Sequence, residues 1–489
     1  MSIRHLVVAA LAAGAAALAL AQTPPPAQAQ AAHVLNRIAF GPSPADLAHV
    51  NAVGVRAYIE EQLDPQRIPM PSALGAQLAA LDAANLAPGA AVQAYQEMRR
   101  AARADKEGAK DERRMAARQA AYEVESARLL RALYSPRQLE EVLTDFWFNH
   151  FNVFINKGLD RALVASYERD AIRPYVLGNF RDMLGATAKH PAMLFYLDNH
   201  LSTAPGFVPR RGGAQANRAG LNENYARELM ELHTLGVDGG YTQRDVTELA
   251  RMLTGWTFTP RDMSGPNDGF RFDPRRHDHG VKHWLGREIK DAGVAEGEYA
   301  LDVLALQPAT ARHVSYQLAQ YFVADEPPPA LVERMAQTWF ATKGDLRAVT
   351  RTLLLSDEFL SAAAGQTKFK TPYQFVLSAV RASGVAVADL RPLIGALNQA
   401  GMPLYGCLTP DGYKNTQQAW LNPDALTRRI AMATALAAGR KPFAQPVDPA
   451  ALQDTLGPTV SQRTREMVSA AAPQLRAAML LGSPDFMQH

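Results

Sequence analysis

The sequence predicts an all-α protein that folds as one large multi-helix domain. Apolar residues recur at helical spacing along most of the chain from His33 onward, whereas alternating strand patterns are nearly absent. Several of the periodic segments also open with helix-capping residues, such as Ser43 before Pro44 and Thr242 before an amphipathic run. At most a short β-hairpin is expected, around residues 258–285.

The N-terminal segment has the pattern of a secretory signal peptide. A short basic start is followed by an apolar run over residues 6–20, and the sequence A-L-A at 19–21 offers a small-residue cleavage site. We therefore expect residues 1–21 to be removed after Ala21 and the mature protein to be periplasmic or secreted. An N-terminal anchor that is kept is the alternative. Residues 22–32, QTPPPAQAQAA, predict a disordered linker.

Charge and cysteine content narrow the class of protein. The 489 residues carry a formal net charge of +3, and the charged residues of both signs are interspersed. Without basic stripes the chain has little attraction for a phosphate backbone, so no nucleic-acid partner is expected. The single cysteine, Cys407, cannot form an internal disulfide, so core burial must hold the fold. The helical domain is expected over residues 33–482, with a tail over residues 483–489. After the signal peptide no run of roughly 18 apolar residues follows, so no transmembrane segment is expected in the mature chain.

The predicted helices follow one another closely along the domain. Two short helices are expected in residues 33–63, and an Ala-rich, highly charged run over residues 90–133 predicts a long exposed helix interrupted near Gly108. The capping pattern SPRQ at 135–138 opens a helix with core-spaced aromatics, FWFNHF. The Gly-, Pro- and Arg-rich residues 202–220 predict a loop. Further helices are predicted within 159–201, at 222–235 and 242–256, and at 296–306, 308–323, 328–342, 344–362, 371–384, 389–400, 420–438 and 461–481.

The helix predicted over residues 222–235 carries the first candidate site. Asn224, Glu228 and Glu231 line one edge of its apolar stripe, at spacings of four and three residues. Glu228 is expected to be partly buried, and it then needs a partner because desolvating an unpaired charge is costly. Arg227 points elsewhere on the helical wheel, so that partner should come from another element. Glu228 is thus a general base, a metal ligand or half of a structural ion pair, with solvent exposure as the further alternative.

Three nearby polar residues have structural interpretations that compete with functional ones. His233 falls on the apolar side of the same helix, where a hydrogen-bonded core histidine is the simplest interpretation. His150 lies among aromatics, where it is either a buried, hydrogen-bonded group or a residue that orients a site. Asp245 follows Thr242 by three residues and is expected to complete a capping box.

The segment HDHGVKHWLG carries the second candidate site, because polar residues in a loop have fewer structural reasons to cluster. The imidazoles of His277 and His279 and the carboxylate of Asp278 can bind a divalent metal together with Glu228 or His150. Lys282 can instead stabilise an anion or a developing negative charge. The alternative is an ordinary surface loop, since H-x-H also occurs there.

Several established site patterns are missing from the sequence. It has no G-x-S-x-G elbow, H-E-x-x-H pair, Walker-type phosphate loop, dinucleotide G-x-G-x-x-G or C-x-x-C-H haem motif. It also has no Glu-x-x-His pairs on two helices, as a ferritin-like two-metal site requires. No nucleotide, flavin or haem cofactor is therefore expected, and a divalent metal is the one cofactor that the candidate residues suggest.

Six motifs together resemble the bacterial domain-of-unknown-function 1800 family, from His33 to about Leu480. They are NENYARELMELHTLGV, YTQRDVTELARMLTGWTF, HD-x-G-x-K, FWFNHFNV, HPAMLFYLDN and TPDGYKNTQQAWLNPDALTRR. The resemblance implies an exported, mainly helical protein with no established reaction or catalytic residue. It also implies a sulfatase-like partner of the domain-of-unknown-function 1501 family. The family's C-terminal motif has Gly-Gln where this chain has Gly401-Met402, so any site role of that glutamine is lost here.

The leading functional hypothesis is a metal-assisted periplasmic hydrolase with a polar cleft built from residues 221–286. Glu228 would act as base or ligand, His277 and Asp278 as ligands or acid–base groups, and Lys282 as anion stabiliser, supported by Asn224, Arg227, Glu231, His233 and His150. One alternative is a non-catalytic scaffold for the sulfatase-like partner, with the charged run at 90–133 and the arginines of Pro209-Arg210-Arg211 as its surfaces. A second alternative is a metal-dependent oxidoreductase that uses the same ligands.

Overall fold

The computed structural model describes most of the chain, and the features below concern those residues. The described residues are 27–104, 110–208, 220–259, 263, 269–361, 367–440, 443 and 445–489. The predicted signal peptide, Gly108 and the arginines at 210 and 211 lie outside them.

The protein is mainly helical, as the sequence predicts. In the first half the α-helices are Ala27–Ile38, Pro44–Val53, Val55–Gln62, Ser72–Ala79, Asp82–Asn85, Pro88–Ala104, Lys110–Tyr134, Gln138–His150, Asp160–Ser166, Phe180–Lys189, Pro191–Tyr196, Asn224–Glu231 and Gln243–Met252. A π-helical turn, Tyr167–Ile172, follows Asp160–Ser166. Helices in the second half are Val294–Ala305, Pro308–Phe322, Pro329–Thr342, Leu346–Leu354, Asp357–Leu360, Pro372–Ser383, Arg391–Gln399, Gln417–Trp420, Pro423–Ala437, Pro449–Leu456, Gln462–Ala470, Pro473–Leu481 and Pro484–Met487.

Two small antiparallel hairpins interrupt the helices among the described residues. The paired strands are Trp256–Phe258 with Phe270–Phe272 and Lys282–Trp284 with Arg287–Ile289. The second hairpin turns through Leu285 and Gly286, which have φ angles of 46° and 74°. One hairpin was expected around residues 258–285, and the structure has one at each end of that segment, because strands of three residues are too short to give a clear alternating pattern.

One hydrophobic core runs through the domain and includes most of the predicted apolar faces. Its largest fully buried side chains include Trp147, Trp256, Trp284, Trp339, Tyr58, Tyr167, Tyr225 and Tyr373. Trp147 and Phe151 stack at 6.0 Å between ring centroids, which confirms that the aromatics of FWFNHF face the core. No helix among the described residues is both long and apolar enough to cross a bilayer.

Both ends of the described chain carry a helix with buried residues. The first described helix begins at Ala27, inside the predicted linker, because its Ala- and Gln-rich residues favour a helix once Ala31 and Ala32 are buried. The predicted tail at 483–489 contains the helix Pro484–Met487, whose Phe486 is buried, and His489 exchanges two backbone hydrogen bonds with Lys368.

Candidate active-site cleft

A polar cleft of about 360 Å³ opens between three helices and one loop. The helices are Gln138–His150, Asn224–Glu231 and Pro308–Phe322, and the loop, called the cleft loop below, covers residues 402–416. The polar side chains that line it include Asn149, His150, Glu231, His313, Asp411 and Lys414. Small-molecule sites have volumes of about 300–1,000 Å³. The cleft therefore has the size and polarity of a binding site for a small ligand.

The Asn149 side chain holds the cleft loop in place through two hydrogen bonds with the backbone of one loop residue. Its Nδ2 donates to the Tyr413 carbonyl at 2.8 Å, and its Oδ1 accepts from the Tyr413 amide at 2.7 Å. The neighbouring Gly412 has a φ of 66°, and a Cβ at this position would lie 2.3 Å from the Asn149 carbonyl oxygen. Only glycine fits this close approach, so the sequence D-G-Y fixes Asp411 at the cleft wall.

Substitution of this glycine should therefore destabilise the loop. We expect Gly412→Ala to lower the free energy of unfolding by about 2 kcal/mol, from left-handed backbone strain and the contact with Asn149. Gly75→Ala is a matched control, because Gly75 lies in a helix with open space around it and no positive φ. Denaturant titrations of both variants measure the difference. A Gly412→Ala protein as stable as Gly75→Ala would contradict this account.

Two histidines anchor the chain where the helix Asn224–Glu231 ends. His150 Nε2 donates to the His233 carbonyl at 3.1 Å, and His313 Nε2 donates to the Leu232 carbonyl at 3.3 Å. Carbonyls at a helix end lack intrahelical partners, so these bonds fix the last turn. The other ring nitrogen of His150, Nδ1, lies 2.8 Å from Gln317 Oε1.

Both rings are neutral at neutral pH because the protein buries them. Burial, with a contribution from His313, lowers the pKa of His150 to about 4. Burial also lowers the pKa of His313 below its ordinary value. These histidines therefore position the cleft wall and are poorly suited to act as general acids.

Two carboxylates line one side of the cleft, and a third lies close to both. Glu231 and Asp411 line it directly. Glu228, one turn before Glu231, is half-buried and close enough to both for their charges to act on it. Burial raises the pKa of the Glu228 carboxyl, and the charges of Glu231 and Asp411 raise it further, while Arg227 opposes them. Among the described residues the Glu228 carboxylate has no ion-pair partner. Glu228 is therefore neither half of a structural ion pair nor fully exposed.

The surroundings of Asp411 have the opposite effect on its pKa. Burial alone would raise its pKa, but hydrogen bonds from Lys414 and Thr409 and the charge of Lys414 lower it below its ordinary value. The Lys414 ammonium lies 2.7 Å from Asp411 Oδ2. Asp411 at the cleft and Glu228 beside it are thus two carboxyl groups whose surroundings move their pKa values in opposite directions, which is the arrangement of an acid–base pair.

A buried ionic network supports the floor of the cleft. The Arg128 guanidinium lies 2.5 Å from Asp145 Oδ1 and 3.3 Å from Glu168 Oε2, and Glu168 is placed by the π-helical turn. Arg173 bridges Glu168 to Glu141 on the helix Gln138–His150. Opposite charges balance one another within this network, so the helix that carries Asn149 and His150 is held rigidly.

The HDHGVK segment forms a separate, buried ion cluster that does not line the cleft. Lys282 Nζ lies 2.7 Å from Glu296 Oε2, and His277 Nε2 lies 3.0 Å from Glu296 Oε1. All three side chains are 0% exposed. The other ring nitrogen of His277, Nδ1, lies 2.9 Å from the Thr254 carbonyl oxygen. Both ring nitrogens therefore have partners inside the protein, and the Lys282 ammonium balances the Glu296 carboxylate.

Asp278 and its neighbours tie the second hairpin to the helix Gln243–Met252. Arg251 Nε donates to Asp278 Oδ2 at 2.8 Å, and Arg251 also pairs with Glu248 at 2.8 Å. Asp245 completes the predicted capping box with Thr242, and its Oδ1 accepts from the Leu285 amide at the hairpin turn. These contacts give Asp278 a structural partner.

The predicted metal ligands do not form one set. Among the described residues the only group of three or more with ligand atoms in mutual reach is His277, Asp291 and Glu296, within 4.8 Å of one another. It includes neither Glu228, Asp278 nor His150. The two carboxylate oxygens of Glu296 already contact His277 and Lys282. These two side chains occupy the positions at which Glu296 would hold a metal ion.

The remaining supporting residues lie around the cleft rather than in it. Asn224 is exposed, and Arg227 pairs with Glu223 at 3.2 Å and with Gln243. His233 is 1% exposed, and its Nε2 has no hydrogen-bond partner within the described part of the chain. The expected burial of His233 is confirmed, whereas hydrogen bonding of this nitrogen is not.

Sequence reasoning missed the residues that the cleft loop contributes. Asp411, Tyr413 and Lys414 belong to the TPDGYKN motif, which contributed to the family resemblance but was not predicted to form part of a site. The sequence signal was Pro410-Asp411-Gly412, which predicts a turn, and a turn brings the aspartate to the surface. Met402, where the resemblance implies glutamine, also lines the cleft.

Comparison with known proteins places the chain in a family without assigning a reaction. A family model described as "Protein of unknown function (DUF1800)" matches residues 33–488. No curated protein and no solved structure matches the chain. The cleft geometry must therefore carry any functional proposal.

Proposed function

The chain belongs to the DUF1800 family, whose function is unknown, and we propose that it is an exported hydrolase that uses the cleft carboxylates as an acid–base pair. The observation that carries this proposal is that Glu231 and Asp411 line one cleft of ligand size, with the half-buried Glu228 close enough to both for their charges to act on it. The pKa of Glu228 is raised and the pKa of Asp411 is lowered, and this difference supports separate roles for the two groups.

The proposed reaction is addition of water to an electrophilic centre with loss of a leaving group. Asp411, ionised, takes a proton from the attacking water, while Glu228, protonated, gives its proton to the leaving oxygen or nitrogen. After product release the proton gained by Asp411 returns to Glu228 through solvent, so the cycle is balanced. His150 and His313 hold the helix end that carries Glu228 and Glu231, and Asn149 holds the loop that carries Asp411.

A panel of chromogenic substrates tests this proposal. The mature chain is expected to release p-nitrophenol from at least one of the p-nitrophenyl carboxylate esters, phosphates, sulfates or glycosides. Because Asp411 is the proposed base, Asp411→Asn should lower kcat by about 10²–10⁴-fold on that substrate. Glu333→Gln is the control, since Glu333 is an exposed carboxylate on another helix that pairs only at the surface with Arg312. A wild-type protein that hydrolyses none of these classes, or an Asp411→Asn variant with full kcat, would show the proposal to be wrong.

A further inference from the structure

A second cavity, of about 450 Å³, shares no lining residue with the cleft. It is a half-open groove lined by the helices Pro372–Ser383, Arg391–Gln399 and Pro423–Ala437. Its wall is mainly apolar and includes Phe375, Val376, Leu393, Ala396, Met432 and Phe443. A cavity of this composition accommodates a hydrocarbon chain more favourably than a polar ligand, because apolar surface is removed from water.

One wall residue is a buried arginine with unused hydrogen-bonding capacity. Arg429 is 3% exposed, and its Nη2 donates to the Lys370 carbonyl at 2.7 Å. Its Nε and Nη1 have no acceptor among the described residues. The guanidinium carbon lies 4.4 Å from the Phe369 ring centroid and 5.2 Å from that of Phe375. The aromatic rings hold the guanidinium in place but leave two N–H donors for an anion.

A second buried cation reinforces the positive charge beside this cavity. Lys370 is 3% exposed, with its Nζ 3.9 Å from the Phe486 ring centroid. Within the described residues no carboxylate forms an ion pair with Lys370 or Arg429. Burial lowers the pKa of Lys370 to about 7, with a further effect of Arg429, and burial lowers the pKa of Arg429 to about 10. The Arg429 guanidinium is thus a buried cation without an acidic partner, which is unfavourable, and a bound anion would relieve that cost.

We propose that this cavity binds a fatty acid, with its carboxylate on Arg429 and its hydrocarbon chain along the apolar wall. The two features are complementary to the two ends of such a molecule, since a small inorganic anion would leave the apolar wall unused. The neighbouring Arg428 also lines the cavity, but its guanidinium already pairs with Asp424 at 2.8 Å. This binding site is independent of the proposed hydrolytic reaction.

Calorimetric titration of the delipidated full chain with dodecanoate tests the proposal. One molecule per chain is expected to bind, and dodecanol, which has the same chain without the charge, should bind at least about 10-fold more weakly. Dodecanoate that fails to bind, or dodecanol that binds as tightly, would overturn the proposal. Saturation at one dodecanoate for every two chains, with a doubled mass in solution, would instead identify the cavity as a contact between copies and would also overturn it.

Two variants separate the charge from the cavity. Arg429→Met should weaken dodecanoate binding by about 10- to 100-fold, whereas Arg391→Met, at an exposed arginine that does not line the cavity, should leave it unchanged. Arg429 is buried, so its variant needs a second test: Ala396→Trp fills the cavity from a half-buried wall position and should abolish binding while leaving Arg429 intact. A folded Ala396→Trp protein, verified by circular dichroism, that still binds dodecanoate as the wild type does would refute the site.

Discussion

Glu228→Gln is expected to lower kcat by about 10²–10⁴-fold on a substrate with a poor leaving group, such as an alkyl ester or alkyl glycoside. The reason is that an alkoxide needs a proton as its bond breaks, and glutamine has none to give. A p-nitrophenyl substrate of the same class should be affected much less, because p-nitrophenolate leaves without protonation. The ratio of the two losses, measured by steady-state kinetics, therefore reports directly on the proposed role of Glu228.

The pH profile supplies an independent measurement of the same assignment. Glu228 acts in its protonated form, so activity is lost as the pH rises through its raised pKa. Asp411 acts in its ionised form, so activity is lost as the pH falls through its lowered pKa. The wild-type profile should be bell-shaped, and Glu228→Gln should remove the alkaline limb while the acidic limb remains.

Asn224→Ala provides the control for these measurements, since Asn224 is an exposed residue at the start of the same helix. Its kcat and pH profile should match those of the wild type. Equal losses on both leaving groups in Glu228→Gln would show that Glu228 positions the cleft and does not donate the proton.

Most of the helical architecture could be predicted from the sequence because it depends on local patterns. The face of Asn224–Glu231 that buries Tyr225 and Leu229 follows from helical periodicity, and the capping box of Thr242 and Asp245 follows from side-chain spacing alone. Boundaries were less accurate. The helix predicted at 461–481 is divided at Pro473, where proline starts a new helix, and Pro449–Leu456 was missed.

The candidate site was harder to predict because it depends on contacts distant in sequence. Glu228 was identified from its helix, but Asp411, whose charge acts on it, lies far along the chain in a loop. The dense HDHGVK segment attracted attention for its ionisable groups. Its partner Glu296 belongs to a different helix, and only the fold shows that Lys282 and His277 are already satisfied. Density of charge in sequence cannot distinguish a reactive site from a buried ion cluster.

That distinction can be measured, because the buried cluster predicts a large loss of stability and a simple rescue. Lys282→Met should lower the free energy of unfolding by about 3–5 kcal/mol, since it leaves Glu296 buried without its ammonium partner. The double variant Lys282→Met, Glu296→Gln removes both charges, and replacing a buried pair by uncharged groups is often close to neutral. We expect the double variant to regain most of the lost stability in denaturant titrations.

Activity of the rescued protein then decides what Lys282 does. If the lysine stabilised an anion during catalysis, as the sequence alone suggested, the double variant would be stable but inactive. If it only neutralises Glu296, as its complete burial away from the cleft indicates, the double variant should keep a wild-type kcat. Exposed Lys414, which pairs with Asp411 at the cleft, is the contrasting lysine: Lys414→Met should barely change stability, because a surface ion pair contributes only about 0–1 kcal/mol. It should nevertheless alter the pH profile, since removing its charge and hydrogen bond lets the pKa of Asp411 rise and moves the acidic limb to higher pH.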